Sequence, residues 1–194
     1  TPIKCSWKYL GRLNDITALK YSSNTYQFYT AIKVGGGTYQ YDKPLSVNPE
    51  AFDIYRNTFA EFGLGVKTGI DLPVESLGYK GTSAQSGHVL DFSIGQYDTY
   101  TPIQLAQYIG TIANNGSRMQ PYLLKEVYEP TKDGLTEKID ETTPTELNKV
   151  NTTQEYLDRV KLGFQEVMKT GGTGTGYINL DYKPAGKTGT SESF

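Results

Sequence analysis

Two short groups of polar residues in this sequence have side chains that could take part in chemistry. They are Ser22-Ser23-Asn24 and Lys187-Thr188-Gly189-Thr190. The first supplies hydroxyls and an amide, groups that favour turns and helix caps over helix interiors. The second supplies an ammonium and two hydroxyls, which are hydrogen-bond donors for a carboxylate. By residue type alone, the first group predicts a capping turn between two helices and the second predicts a place for a peptide carboxylate.

The lysine group suits an exposed strand better than a phosphate-binding loop. On a strand, Lys187 and Gly189 would lie on one face and the two threonines on the other. Gly189 would let a substrate backbone approach the strand edge, so that a peptide could bind by strand addition. A phosphate loop would need glycine at position 181, where this sequence has Asp181, whose carboxylate would repel phosphate.

The pair of groups, in this order, is more specific than either group alone. Ser-x-Asn followed far downstream by Lys-Thr-Gly belongs to the motif set of penicillin-binding proteins and class A β-lactamases. Five intervening segments add to the likeness: Phe62-Gly63-Leu64-Gly65, Gly69-Ile70-Asp71-Leu72-Pro73, Ile94-Gly95-Gln96, Thr101-Pro102-Ile103-Gln104-Leu105-Ala106-Gln107-Tyr108 and Ile112-Ala113-Asn114-Asn115-Gly116. The whole chain thus resembles the transpeptidase domain of class B, monofunctional penicillin-binding proteins, most of all the Gram-positive enzymes of elongation and division.

This resemblance implies a fold and a reaction. The fold is α+β, the serine β-lactamase/penicillin-binding transpeptidase fold, with a central antiparallel sheet and an all-helical subdomain. Residues 1–194 would be part of one such domain, present as a fragment. The family cross-links peptidoglycan: a serine attacks the D-Ala-D-Ala bond of a stem peptide, and an amine from a second stem resolves the acyl-enzyme. β-Lactam antibiotics imitate the substrate and acylate the same serine.

The resemblance also assigns roles to the residues of both motifs. Ser22 would relay a proton towards the leaving amine, Asn24 would orient the substrate amide, and Lys187 would keep the site electropositive close to Ser22. Thr188 and Thr190 would bind the terminal carboxylate. The backbone N–H of Thr190 would serve as one oxyanion donor, and Gly189 would keep the strand edge approachable. No cofactor and no metal are implied.

One element of the family pattern is absent from the sequence. No serine of the chain is followed three positions later by lysine, so the Ser-x-x-Lys nucleophile is not among these residues. We expect it before Thr1, in a missing N-terminal part that also carries the membrane anchor, and we expect the final strands after Phe194. The chain alone should then be inactive, and the complete protein should work on the extracytoplasmic face of the cell membrane with proteins of the elongation or division complex.

Composition excludes several other functions. Nineteen Lys+Arg against 21 Asp+Glu give a net charge of −2, which lacks the basic excess of a nucleic-acid-binding protein. Cys5 and His88 are the single cysteine and histidine of the sequence, too few for a metal site built from these residues. Two alternatives stay open: a β-lactamase or penicillin-recognising sensor, which would have a shorter spacing between the two motifs, and a binding module that has lost its serine.

The secondary structure that must position the motifs is mainly helical. Two helices should flank Ser22-Ser23-Asn24, the second carrying Phe28, Ala31 and Ile32. Further helices are predicted over 49–62, with an aromatic buried stripe, over 101–115, with a capping box and an apolar face, and over 153–170, capped by Thr152. Strands are predicted over 119–128 and 182–194, with a polar segment up to 145 and a mobile glycine-rich loop at 171–176.

Overall fold

The computed structural model describes residues 4–132, 134–176 and 180–190. Its helices are α1 (Asp15–Lys20), α2 (Asn24–Val34), α3 (Glu50–Glu61), α4 (Ser86–Ser93), α5 (Pro102–Ala113) and α6 (Gln154–Met168), with a 3-10 turn at Leu180–Tyr182. Its strands are β1 (Ser117–Met119), β2 (Glu126–Thr131), β3 (Gly134–Glu141) and β4 (Glu146–Lys149). The chain divides into two compact units. Unit 1 comprises Thr1–Thr58, Tyr79–Thr99 and Thr152–Phe194, and unit 2 comprises Phe59–Gly78 and Tyr100–Asn151.

Unit 1 holds both motifs on a helical framework in which α1 packs on α6 and α2 packs on α4. A Cβ at Gly163 would collide with Leu19 Cδ1, so the absence of a side chain lets α1 and α6 approach closely. An ion pair also joins these helices, because the Arg159 guanidinium donates to both carboxylate oxygens of Asp15 at 2.6 and 2.5 Å. The apolar core residues of this framework are Ala18, Phe28, Ala31, Ile32, Val89, Leu90, Phe92, Leu157, Phe164 and Val167.

The predicted helices are present with small differences at their ends. Helix α6 begins one residue later than its predicted cap requires, because the hydroxyl of Thr153 rather than Thr152 accepts from the backbone N–H of Tyr156. In α3, Phe52 is fully buried, whereas the other three aromatic residues of the predicted stripe are only half-buried. Helix α4 was not predicted, since its eight residues are too few to establish a periodic pattern.

A buried ion pair holds the part of α3 that belongs to unit 1. The guanidinium of Arg56 donates to both carboxylate oxygens of Asp98 at 2.9 Å, and it also donates to the carbonyl oxygen of Gly81. The backbone N–H of Gly81 donates to the same carboxylate, which is only 5% exposed. The hydrogen bonds from Arg56 and Gly81 compensate for the cost of burying this charge. The hydrogen bond to Asp98 raises the pKa of Arg56.

Unit 2 contains α5, whose predicted capping box is confirmed. Thr101 accepts from the backbone N–H of Gln104, and the Gln104 side chain accepts from the backbone N–H of Thr101. Of the predicted apolar face, Ile112 is buried, but Leu105 and Ile109 are 46% and 43% exposed. Gln104, outside that face, is fully buried instead. The buried glutamines face inward because their amides hydrogen-bond carbonyl oxygens; Gln107 donates to Thr68 and Met119.

The described residues form two two-stranded antiparallel sheets, β1–β4 and β2–β3. The strand predicted over 119–128 is therefore divided between β1 and β2, and the predicted polar segment contains β3. Strand β3 has no alternating pattern because its described side chains are exposed on both faces. The predicted central sheet and the strand over 182–194 are not formed in the described residues, since 183–190 have no neighbouring strand to pair with. Residues 191–194 lie outside the described part.

Candidate active site

Ser22 occupies the turn that ends α1. The backbone N–H of Ser23 donates to Ala18 and that of Ser22 donates to Leu19, at 3.0 and 3.1 Å, which is the hydrogen-bond pattern of a Schellman motif. Ser22 takes the left-handed position of that motif, with φ 51°, where glycine is the usual residue. A serine held in this conformation costs about 1 kcal/mol or more, and strain of this kind is concentrated at functional sites.

Ser23 and Asn24 have different surroundings in the structure. Ser23 is 3% exposed, and its hydroxyl caps α2 by accepting from the backbone N–H of Tyr26. Asn24 is the first residue of α2, and its side-chain amide makes no hydrogen bond to the residues that the structure describes. The capping turn expected from residue type is thus present, but the caps leave Asn24 able to bind another molecule.

The segment before α1 fastens this turn. The indole N–H of Trp7 donates to the carbonyl oxygen of Tyr21 at 3.0 Å. The Ser6 hydroxyl accepts from the backbone N–H of Thr25 at 3.1 Å and lies 3.3 Å from the Ser23 hydroxyl. Both sides of the strained residue are therefore held from outside the two helices.

Lys187 is brought directly to this turn. Its Nζ donates to Ser22 Oγ and to the carbonyl oxygen of Thr188, both at 2.8 Å, although Ser22 is 165 positions away in sequence. The approach is fixed by the backbone N–H of Gly186, which donates to the carbonyl oxygen of Phe164 in α6. Lys187 is a solvent-accessible residue, but desolvation of its ammonium group lowers the pKa of Lys187.

Thr188 makes the next contact, with a residue that neither motif contains. Its hydroxyl donates to the hydroxyl of Thr173 at 2.8 Å, and the backbone N–H of Thr173 donates to the carbonyl oxygen of Lys20 at 3.2 Å. Thr173 therefore touches both motif-bearing segments. Sequence reasoning missed it because its glycine-rich surroundings predict only a loop.

Gly189 and Thr190 complete the predicted set of site residues. Both are exposed, and no hydrogen bond joins the Thr190 side chain to another described residue. The structure thus brings together Ser22, Lys187 and Thr188 through hydrogen bonds. It does not join Gly189 and Thr190 to them by such contacts, and both stay accessible beside the site.

An ion-pair cluster lies at the end of α1 next to the site. The Glu166 carboxylate accepts from Lys169 at 2.6 Å and from Lys20 at 2.9 Å. These hydrogen bonds, the one from Lys169 first, lower the pKa of Glu166. Because Lys20 lies two residues before Ser22, the cluster ties the motif-bearing turn to α6.

The chemistry that this geometry allows is proton transfer and anion binding. An ammonium group 2.8 Å from a serine hydroxyl stabilises negative charge on that oxygen and can relay protons through it. In the described part of the chain, no three His, Cys, Asp or Glu side chains converge as a metal site would require. Over the same residues, no helix combines the length and apolar character needed to cross a membrane.

Comparison with known proteins identifies the relatives of this chain. Residues 6–194 match the family described as the penicillin binding protein transpeptidase domain. Penicillin-binding protein 2A of Bacillus subtilis is 53% identical over 193 residues, covering 98% of this chain and 27% of the relative. Penicillin-binding protein 2B of Streptococcus pneumoniae strain R6 is 41% identical over 189 residues, covering 94% of this chain and 28% of the relative. The chain therefore spans about a quarter of the length of these relatives.

Solved structures show the same likeness. Penicillin-binding protein 2B from Streptococcus pneumoniae strain R6 has a TM-score of 0.76 at 39% identity, over 84% of this chain and 27% of that one. The D,D-transpeptidase domain of a peptidoglycan glycosyltransferase from Eggerthella lenta has a TM-score of 0.69 at 23% identity, over 94% and 42%, and shares the fold. The predicted family and fold class are confirmed: the chain belongs to the penicillin-binding protein transpeptidase family, of the class B type found in Gram-positive bacteria.

Proposed function

We propose that this chain is the part of a peptidoglycan D,D-transpeptidase that carries two of its three active-site motifs. The observation that supports this most strongly is the 2.8 Å hydrogen bond from Lys187 Nζ to Ser22 Oγ. If the two short motifs occurred by chance, there would be no reason for their residues to be in contact. The family match over residues 6–194 points in the same direction.

In the proposed reaction, a serine hydroxyl attacks the carbonyl carbon between the last two D-alanines of a stem peptide. A serine-to-acyl C–O bond forms, the peptide C–N bond breaks, and the serine proton passes through Ser22 to the leaving amine. Lys187 keeps the site electropositive while this proton moves. An amine from a second stem peptide then releases the acyl group and forms the cross-link. A β-lactam acylates the same serine and blocks the site.

Substrate recognition would use the remaining motif residues. The amide of Asn24 is available to orient the substrate, since it makes no hydrogen bond to another described residue. Thr188 and Thr190 would bind the terminal carboxylate, and exposed Gly189 leaves room for the substrate backbone. The Thr190 backbone N–H would donate to the oxyanion, a contact whose loss costs about 10²–10³ in rate at comparable sites.

The domain and the cellular setting follow from the same proposal. Residues 1–194 would be part of one transpeptidase domain, and we call the longer protein to which they belong the parent protein. Its nucleophilic serine and its membrane anchor would lie N-terminal to residue 1, on the extracytoplasmic side of the membrane. Its partners would be stem peptides, β-lactams and proteins of the elongation or division complex.

Labelling with penicillin tests this function. The parent protein is treated with a fluorescent penicillin, digested, and the acylated peptide is identified by mass spectrometry. We expect one acylated serine, N-terminal to residue 1 and followed three positions later by lysine. The isolated 194-residue chain, treated in parallel, should form no stoichiometric adduct. An unlabelled parent protein, or an adduct on a serine of this chain, would contradict the proposal.

A further inference from the structure

Thr173 lies outside both motifs and hydrogen-bonds to both motif-bearing segments. Its backbone N–H donates to Lys20 O at 3.2 Å, two residues before Ser22, and its hydroxyl accepts from Thr188 at 2.8 Å. The backbone contact holds Thr173 against the end of α1. The hydroxyl contact depends on the side chain and reaches a residue assigned to carboxylate binding.

The loop around Thr173, predicted to be mobile, is hydrogen-bonded to the end of α6. The backbone N–H of Gly174 donates to Val167 O at 2.9 Å, and that of Gly172 donates to Lys169 O at the same distance. A Cβ at Gly172 would collide with the carbonyl oxygen of Val167, and one at Gly174 would lie 2.6 Å from Met168 Sδ. Glycines on both sides therefore let the backbone lie against the end of α6 and hold the threonine between them.

The hydroxyl pair has a consequence for proton placement. Each hydroxyl has one proton to donate and lone pairs that accept. While Thr188 donates to Thr173, its proton is not available to a carboxylate. If the pair reverses, Thr173 donates to Thr188, and the Thr188 proton is released towards an incoming carboxylate. Both hydroxyls rotate about single bonds, so this reversal requires no movement of the backbone.

We infer that Thr173 is a positioning residue for carboxylate recognition, which orients the Thr188 hydroxyl by donating to it when a carboxylate-bearing substrate binds. The inference rests on the proposed function. Thr173 would be a specificity residue outside the two motifs. Its effect on acylation would depend on the carboxylate of the substrate and not on the acyl portion.

The test compares two acylating agents in the parent protein, benzylpenicillin and its methyl ester, which lacks the free carboxylate. Thr173→Val removes the hydroxyl and keeps the shape and the backbone N–H. We expect acylation by benzylpenicillin to be about tenfold slower, because the variant loses the hydrogen bond that orients the carboxylate-binding Thr188. Acylation by the ester should change less than about twofold. Thr173→Ser retains the hydroxyl and should restore the rate with benzylpenicillin.

Thr175 provides the matched control, because among the described residues its hydroxyl donates only to Lys169 O at 2.6 Å and to Gly172 O at 2.8 Å, away from both motifs. Thr175→Val should affect both acylating agents equally. If Thr173→Val also slows both agents equally, or if Thr173→Ser is as slow as Thr173→Val, the inference is wrong while the proposed function stands. If the unaltered parent protein is not acylated by benzylpenicillin at all, the proposed function fails and the inference fails with it.

Discussion

The ammonium nitrogen of Lys187 lies 2.8 Å from the hydroxyl oxygen of Ser22. Helix α6 makes this contact possible, because it packs on α1, which ends two residues before Ser22, and accepts a backbone hydrogen bond from Gly186, next to Lys187. The two groups are thus held by one helix from two sides. We therefore expect the charge of Lys187 and the hydroxyl of Ser22 to act together in acylation.

Replacing Lys187 should slow acylation of the parent protein by penicillin. We expect Lys187→Ala to reduce the rate constant by about 10²–10⁴, the range for a positioned proton-transfer group, and Lys187→Arg to reduce it less because the positive charge remains. Rates are measured with a fluorescent penicillin under single-turnover conditions. Equal effects of both substitutions would contradict a role for the charge.

The pH dependence of the same rate tests the desolvated lysine. The pKa of Lys187 is below the 10.5 of an ordinary lysine because its ammonium group is desolvated. If the charged form is required, acylation falls as the pH rises through this lowered pKa. In Lys187→Arg the guanidinium stays charged throughout, so this alkaline fall should disappear. A fall that persists unchanged in the arginine variant would belong to another group.

The left-handed conformation of Ser22 predicts that stability and activity separate at this position. Ser22→Gly relieves the cost of φ 51° but removes the hydroxyl. We expect the free energy of unfolding to stay the same or rise by up to about 1 kcal/mol. The gain from removing the left-handed serine is offset in part by the larger backbone entropy that glycine loses on folding. Acylation should nevertheless fall by about 10² or more.

Asp42 offers the control for that substitution, since it is exposed, has φ 56° and lies outside the site. Asp42→Gly should change stability in the same direction and leave acylation unaltered. Chemical denaturation of the parent protein measures the first quantity, and penicillin labelling measures the second. A Ser22→Gly protein that acylates at the normal rate would remove Ser22 from the mechanism.

Ser23 and Asn24 should respond differently to alanine. Ser23 is buried and caps α2, so Ser23→Ala should lower the free energy of unfolding by about 1 kcal/mol. Asn24 makes no hydrogen bond to another described residue, so Asn24→Ala should change stability by less than about 0.5 kcal/mol. Asn24→Ala should instead impair turnover of a stem-peptide substrate. The prediction is wrong if Asn24→Ala destabilises the protein as much as Ser23→Ala does.

Glu166 should stabilise the protein in a pH-dependent way. Hydrogen bonds from Lys169 and Lys20 hold its pKa below the ordinary 4.5, so between these values the unfolded state binds more protons than the folded state. The contribution is therefore complete above about pH 4.5 and is lost as the pH falls through the lowered pKa. Glu166→Gln should cost about 1 kcal/mol at pH 7 and nothing once the carboxylate is protonated.

Urea unfolding of the parent protein at a series of pH values measures this difference. Glu129→Gln, a change at an exposed carboxylate of β2, serves as the control and should have a small effect at every pH. A Glu166→Gln effect that is the same at low and neutral pH would show that the ion pairs do not cause it.

A local signal allowed the start of α5 to be predicted, and family resemblance allowed the meeting of the two motifs to be predicted. The capping box of Thr101 and Gln104 depends on residues three positions apart, and it is present as expected. The meeting of Ser22 and Lys187 followed from motif order through family resemblance, because no periodicity indicates a contact between residues so distant in sequence. That resemblance also gave the fold class correctly.

The parts that could not be predicted depend on partners that are distant in sequence or on exposed segments that have no periodic pattern. Gln104 and Gln107 are buried because their amides donate to carbonyl oxygens of loop residues. The apolar pattern of α5 predicts instead that another face of the helix is buried. Strand β3 pairs in a hairpin with β2, and its described side chains are exposed on both faces, so they show no alternation. Nothing in the sequence indicates a role for Thr173, whose hydroxyl lies beside that of Thr188 in the structure.

A double-mutant cycle between Ser22 and Lys187 tests the central claim most directly. The acylation rate constant of the parent protein with benzylpenicillin is measured for the unaltered protein, Ser22→Ala, Lys187→Ala and the double variant. If the two groups act as one unit, the double variant should be about as slow as the slower single variant, far from the product of the two effects. Effects that multiply independently would show that the hydrogen bond between Lys187 and Ser22 has no part in catalysis.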